Sequence, residues 1–213
     1  MSKNSHIKYV ERQTDNRFLN MYHLGFEDRE GNPRDYYFCT RNSEDKLKIK
    51  THDLTPEGIC IYAITAEDHP RLVVEREYRF PVDEMIYQLP AGLIDPQDGA
   101  DGTDPRIAAA KREIREETGI VVKDSDTIYV ASPFVFSSPG MSDESNAMIC
   151  AIVDLPDLSS LNTEGSEGTE VFGDYSLYTK AEAKAMLESG RDDEGLYYTI
   201  YTWAALMYFV YET

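Results

Sequence analysis

The chain has 213 residues, enough for one well-packed domain with or without a small appendage, and its 41% hydrophobic and 28% charged content is ordinary for a soluble globular protein. No apolar run approaches the roughly 18 to 20 residues that span a bilayer, which argues against a membrane protein. A formal charge of −18 repels phosphodiester backbones and argues against nucleic-acid binding, but a small phosphorylated ligand remains open, because a cation and a few arginines can override the global field.

The opening residues, MSKNSHIKYVERQ, lack the apolar core of a signal peptide, and Cys39, Cys60 and Cys150 show no CxxC spacing. Both features are expected of a cytoplasmic protein with reduced thiols. Residues 1–55 are polar and tyrosine-rich and read as a β-rich subdomain, distinct from a main domain over 56–213. Within them, RFLNMYHLGFEDREGNPRDYYFCTRN predicts two strands around a turn at Glu30, Gly31, Asn32 and Pro33.

GICIYAIT (58–65) is a short apolar run expected as a buried strand, and RLVVEREYRF (71–80) is a strand that alternates toward its end. MIYQLPAGLI (85–94) is a third, interrupted by Pro90 and Gly92. A helix follows: Asp104 suits the N-cap, Pro105 the first helical position and Gly119 the C-terminal cap. Its core face is expected to hold Ile107, Ala110, Ile114 and Thr118.

TIYVASPFVFSSPG and SNAMICAIVDL predict two strands, VFGDYSLY another, and TKAEAKAMLESG a helix with a capping box at Thr179 and Glu182. GLYYTIYTWAALMYFVYET reads as a last helix, with Tyr197, Ile200, Trp203, Ala204, Met207 and Val210 as its core stripe. This mixture predicts an α+β fold, or a sheet layered between helices.

On the helix after Asp104, Glu113, Glu116 and Glu117 share a face, with Arg112 at its edge. Three carboxylates so close repel one another unless a cation neutralises them, and hard oxygen donors select Mg2+, Mn2+ or Ca2+ over zinc. Acidic helix faces are often simply solvated, so spacing alone leaves both readings open.

The surrounding residues shift the balance toward the metal reading, through a resemblance. REIREETGI resembles the second half of the Nudix box, G-x5-E-x7-R-E-U-x-E-E-x-G-U with U aliphatic, at Arg112, Glu113, Ile114, Glu116, Glu117, Gly119 and Ile120. QLPAGLID, EREYRFPV and SSPGMSDE are similar to segments of the ADP-ribose pyrophosphatase subgroup, and the resemblance runs over residues 71–205. It departs from the pattern in one place. Eleven residues separate Gly92 from Asp104 where the box has five, so the loop carries six extra, and Asp stands where the box has its first Glu. Asp104 is either a shortened replacement for that glutamate or only the N-cap, the reading that Pro105 favours.

The resemblance implies a Nudix fold, a mixed β-sheet layered between helices as an α/β/α sandwich, preceded by an N-terminal antiparallel hairpin or sheet. It implies Mg2+- or Mn2+-dependent hydrolysis of a nucleoside diphosphate linked to another moiety, with ADP-ribose giving AMP and ribose 5-phosphate. Alternatives are another nucleotide-sugar, NADH or FAD as substrate, or a non-catalytic nucleotide-sensing domain. Carried over by position, Glu113, Glu116 and Glu117 are expected metal ligands with the Ala91 carbonyl, and Arg112 orients them. The general base is expected among Glu164, Glu167 and Glu170, with Glu167 and Glu170 foremost, in a glycine-rich loop that could close over substrate. Arg79 and Arg76 are expected to contact phosphate, and a homodimer is implied through the tyrosine-rich hairpin or the aromatic last helix.

Overall fold

In a computed structural model, which describes residues 6–155, 158–162, 171–192 and 194–213, three strands open the chain. They are β1 (Ile7–Arg12), β2 (Asn20–Glu27) and β3 (Pro33–Thr40), paired antiparallel in the order β1-β2-β3. The expected turn joins β2 to β3. Asp28 holds it by accepting from the backbone N–H groups of Glu30 and Asn32 at 3.0 and 2.9 Å, and Gly31 supplies the left-handed residue at φ +84°. A four-residue helix, α1 (Lys48–Thr51), follows.

The chain divides into two compact units. One comprises Met1–Thr55 with Phe136–Ser145, so the whole of SSPGMSDE groups with the first sheet; there Tyr36 donates its hydroxyl to the Gly140 carbonyl. The other comprises Pro56–Val135 with Asn146–Thr213.

The second unit is built on β4 (Gly58–Thr65), β5 (Arg71–Arg79), β6 (Glu84–Gln88), β7 (Ala91–Leu93), β8 (Thr127–Phe136), β9 (Ser145–Val153) and β10 (Phe172–Thr179). The sheet runs β10-β5-β4-β9-β8, with β6 alongside β5 and β7 alongside β4. It is mixed: β4 and β9 are parallel, while β10, β6 and β7 pair antiparallel. Every residue of β4 is buried, which is why GICIYAIT reads as a continuous apolar run and not as an alternation.

Helices cover both faces. On one, Ile59, Ile61, Val73 and Ile149 pack with Ala109, Ala110 and Ile114 of α2 (Pro105–Thr118). On the other, Tyr62, Leu72, Val74 and Met148 pack with Ala183 and Met186 of α3 (Lys180–Ser189) and with Ala205, Leu206 and Phe209 of α4 (Ile200–Glu212). The result is the expected α+β, three-layer arrangement with an antiparallel three-stranded N-terminal sheet. No helix among the described residues is long and apolar enough to cross a membrane.

One expectation is corrected. The buried face of α4 is Thr202, Ala205, Leu206 and Phe209, while Tyr197, Ile200 and Trp203 are exposed. The helix is apolar nearly all round, so periodicity could not set its rotation. Its phase is set instead by Thr202, whose hydroxyl donates to the Tyr87 carbonyl at 3.1 Å, and by Ala205, small enough for close approach to the sheet.

Candidate active site

The N-terminus of α2 forms as its sequence dictates. Asp104 accepts the Arg106 backbone N–H at 3.0 Å, Pro105 follows in the first turn, and Gly119 closes the helix at φ +73°. The Asp104 carboxylate is also engaged by the Arg106 guanidinium, at 2.9 Å from Nε. Of the two readings of this residue, the structure therefore displays the cap.

Below the cap, α2 presents its glutamates to β7. Glu117 is 5% exposed and accepts the Ala91 backbone N–H at 2.8 Å, so its charge is met by a main-chain donor within the fold. Gly92 passes directly over Glu113: a β-carbon built there would stand 1.9 Å from Glu113 Oε1. Pairing of β7 with β4, Cys60 opposite Ala91 and Ile59 opposite Gly92, holds this backbone in place.

Arg112 is the hub of the face. Its Nη1 donates to Glu113 at 2.7 Å and to Glu116 at 3.2 Å, and its Nη2 donates to the Leu93 carbonyl at 2.9 Å. Asp98 of the extended loop takes the remaining edge, at 3.1 Å from Nη2 and 3.4 Å from Nε. Burial opposes the Arg112 charge, yet hydrogen bonds to Asp98 and Glu113 outweigh it and leave the guanidinium more firmly protonated than usual. Arg112, even with Arg115 3.9 Å from Glu116, cannot neutralise Glu113, Glu116 and Asp98 together, so the face keeps a negative excess suited to a cation.

Among the described residues, no three acidic, histidine or cysteine side chains stand as a ready-made metal cluster. Glu113 and Glu116 face Arg112, and Glu117 faces Ala91. The donor set nevertheless fits a hard divalent cation: carboxylate oxygens on one helix face, beneath a backbone opened by glycine, with no thiolate or imidazole among them.

The two arginines of β5 part company. Val73 belongs to the cluster packed on α2, whereas Leu72 and Val74 belong to the cluster packed on α3 and α4. Alternation along the strand carries Glu75, Glu77 and Arg79 onto the α2 face and Arg76 onto the opposite one. Arg79 is held by Gln88 at 2.8 Å and Glu77 at 2.8 Å, and its side chain remains 45% exposed. Arg76 instead bonds the Tyr87 hydroxyl at 2.7 Å, lies over that ring, and pairs with Glu194 at 2.9 Å.

Sequence reasoning did not single out Asp98, Glu75, Glu77 or Gln88. Glu75 is fully buried, and both it and Glu117 act on Tyr175, whose hydroxyl donates to the Glu117 carbonyl; burial and these two charges push the phenol upward. The signal for the pair on β5 was present as two acids at alternate positions after the apolar LVV. Glu164, Glu167 and Glu170, expected to provide the base, lie outside the described residues.

The chain is similar to several known proteins. An uncharacterised Nudix hydrolase of Schizosaccharomyces pombe is 25% identical over 152 residues, 70% of this chain and 64% of its own length. The ADP-ribose pyrophosphatase of Saccharomyces cerevisiae is 25% identical over 151 residues, 70% of this chain and 58% of its own length. The chain thus spans less than two thirds of these relatives. A solved structure described as an ADP compounds hydrolase superposes with a TM-score of 0.62 at 20% identity, covering 96% of this chain and 91% of that one, a likeness of fold. The family model for the NUDIX domain matches residues 54–194, which include β7, the extended loop and the whole of α2, and the chain belongs to the Nudix family.

Proposed function

We propose that the protein hydrolyses the diphosphate bond of a nucleoside diphosphate linked to another moiety, with ADP-ribose as substrate, AMP and ribose 5-phosphate as products, and Mg2+ or Mn2+ as cofactor. The observation that carries this reading is the α2 face itself, with Glu113, Glu116 and Glu117 arranged around Arg112 and Ala91 beneath the opening at Gly92. The relative from Saccharomyces cerevisiae named as an ADP-ribose pyrophosphatase supports the choice of substrate.

Glu113, Glu116 and Glu117 would hold the cation, with the Ala91 carbonyl as a further oxygen donor. When bound, such a metal neutralises diphosphate charge and lowers the pKa of an attacking water. Arg112 directs Glu113 and Glu116, and thereby holds oxygen donors in place before substrate arrives. Arg79 lies on the same sheet face with its guanidinium plane fixed by Gln88 and Glu77, and half of it remains free for a phosphate oxygen. A glutamate of the segment 163–170 takes the proton of the attacking water; that assignment follows from the resemblance. A homodimer formed through the N-terminal sheet, where Tyr9, Met21, Tyr36 and Tyr37 are exposed, belongs to the same reading.

The test is incubation with ADP-ribose, ADP-glucose, NADH and FAD, with and without Mg2+, and chromatographic separation of the nucleotide products. Metal-dependent AMP formation, with the highest kcat/KM on ADP-ribose, is expected. Preference for another of the four replaces the substrate and keeps the chemistry. Absence of hydrolysis with all four refutes an enzymatic role and leaves nucleotide sensing.

A further inference from the structure

We propose that Asp98 is a positioning residue for the α2 glutamates, acting through Arg112. The proposal rests on the metal-dependent reading above and concerns the one segment in which this chain departs from the family pattern.

The pattern places a glutamate eight positions before Arg112, with seven residues between, and in this chain that position is Asp104. Its carboxylate is already committed to the helix cap and to the Arg106 guanidinium. The six extra residues place Asp98 in its stead. Its two oxygens meet Nη2 and Nε of Arg112 at 3.1 and 3.4 Å, the side-on fork that matches carboxylate to guanidinium. Asp95, also within reach of Arg112, is farther off at 3.8 Å and more exposed.

Asp98 is itself fixed. Its side chain is only 7% exposed, its Oδ2 accepts the Asp95 backbone N–H at 2.8 Å, and its own N–H donates to the Asp95 carbonyl at 2.9 Å. Gly99 lets the chain turn immediately afterwards at φ +79°, where a β-carbon would lie 2.5 Å from the Thr103 carbonyl oxygen. A guanidinium is planar and rigid, so holding its Nε and Nη2 edge determines where Nη1 points. Nη1 is the atom that bonds Glu113 and Glu116. Asp98 thus reaches both glutamates through a single rigid group, and the extension folds back to supply the anion that the helix start cannot.

A competing account makes Asp98 a staple that merely fastens the loop to α2. Asp98→Ala, Asp98→Glu, Arg112→Ala and the Asp98→Ala/Arg112→Ala double variant separate the two. The measurements are kcat and KM for ADP-ribose, Mn2+ affinity by electron paramagnetic resonance without substrate, and the thermal midpoint. For Asp98→Ala, losses of about 10- to 100-fold in kcat and in Mn2+ affinity are expected, the range for partners that orient metal ligands, with KM little changed. Asp98→Glu should recover part of both losses, and the double variant should be no worse than Arg112→Ala.

Wild-type kcat and Mn2+ affinity with a lowered midpoint in Asp98→Ala would overturn the proposal in favour of the staple. So would multiplicative losses in the double variant. If Asp98→Ala does not fold, Asp98→Asn, which keeps the shape and removes the charge, carries the same measurements and the same criteria. If the wild type binds Mn2+ but hydrolyses none of the four substrates, the functional reading fails, and the Mn2+ arm still decides the role of Asp98. A wild type that does neither overturns both.

Discussion

Gly92 and Glu113 occupy space that no side chain can share: a β-carbon on Gly92 would stand 1.9 Å from Oε1 and 2.0 Å from Cδ of Glu113. The carboxylate is tied to Arg112 at 2.7 Å and the Gly92 backbone is paired to Ile59, so neither side yields freely. Gly92→Ala is therefore expected to displace the Glu113 carboxylate while leaving most of the fold intact. Steady-state kinetics should show a loss of about 10²-fold or more in kcat, the scale on which ångström misplacements act. Circular dichroism should show an unchanged secondary structure. Normal turnover in this variant would remove Glu113 from the chemistry.

Glu117 is the most enclosed of the α2 acids, and its carboxylate accepts from Ala91 N at 2.8 Å. Glu117→Gln preserves the size of the side chain and one oxygen acceptor but deletes the charge. Lost metal charge of this kind is expected to cost on the order of 10²-fold or more in kcat. Burial makes the sign for stability different: exchanging an enclosed carboxylate for a neutral amide relieves desolvation, so the thermal midpoint should hold or rise. The two readouts together distinguish a ligand from a structural acid, for which activity would survive.

What could be read from the sequence depended on whether the cause was local. The cap at Asp104, Pro105 in the first turn and Gly119 at the far end are set by residues within a turn of where they act, and they stand as expected. So does the capping box of Thr179 and Glu182. The spacing of Glu113, Glu116 and Glu117 follows from the helix repeat in the same way. By contrast, the rotation of α4 depends on one hydroxyl meeting Tyr87, far away in the chain, and an all-round apolar helix hides it. The partnership of Asp98 with Arg112 was equally hidden, because a loop stretched by six residues has no spacing rule to say which aspartate returns. Alternation on β5 did carry the division between Arg76 and Arg79, but only the packing of Val73 and Val74 reveals which face belongs to α2.

That division makes a prediction about the two arginines. Arg79→Ala removes the half-exposed guanidinium on the α2 face and is expected to raise KM for ADP-ribose by about 10-fold or more, as loss of a charge-assisted contact of roughly 1.5 to 3 kcal/mol implies. Arg76→Ala removes a group on the other face, paired with Glu194 and stacked on Tyr87. Its effect should fall on the thermal midpoint, with KM close to wild type. The reverse pattern would place the substrate on the α3 and α4 side of the sheet.

Asp104 separates stability from chemistry most directly. As an N-cap it satisfies the Arg106 backbone N–H, and its replacement by Ala is expected to cost about 1 kcal/mol. For a chain of this size that corresponds to a fall of about 2 to 4 °C in the thermal midpoint. The Arg106 side chain beside it, helped by the Arg106 N–H and opposed by partial burial, holds the Asp104 carboxyl below its usual value of 3.8. The folded pKa therefore lies below the unfolded one, and the charge-dependent part of the stabilisation is fully present above the unfolded value. It is lost as pH falls through the folded value. Because the carboxylate is partly exposed, this part is small, and most of the effect is the neutral cap geometry. Denaturant titrations of wild type and Asp104→Ala should show a constant gap from neutral pH down to about pH 5 and a narrowing one below about pH 4. The kcat of the folded variant should remain near wild type at neutral pH. Abolished turnover with the fold intact would instead put Asp104 among the groups that hold the metal, and the cap would then be the lesser of its two roles.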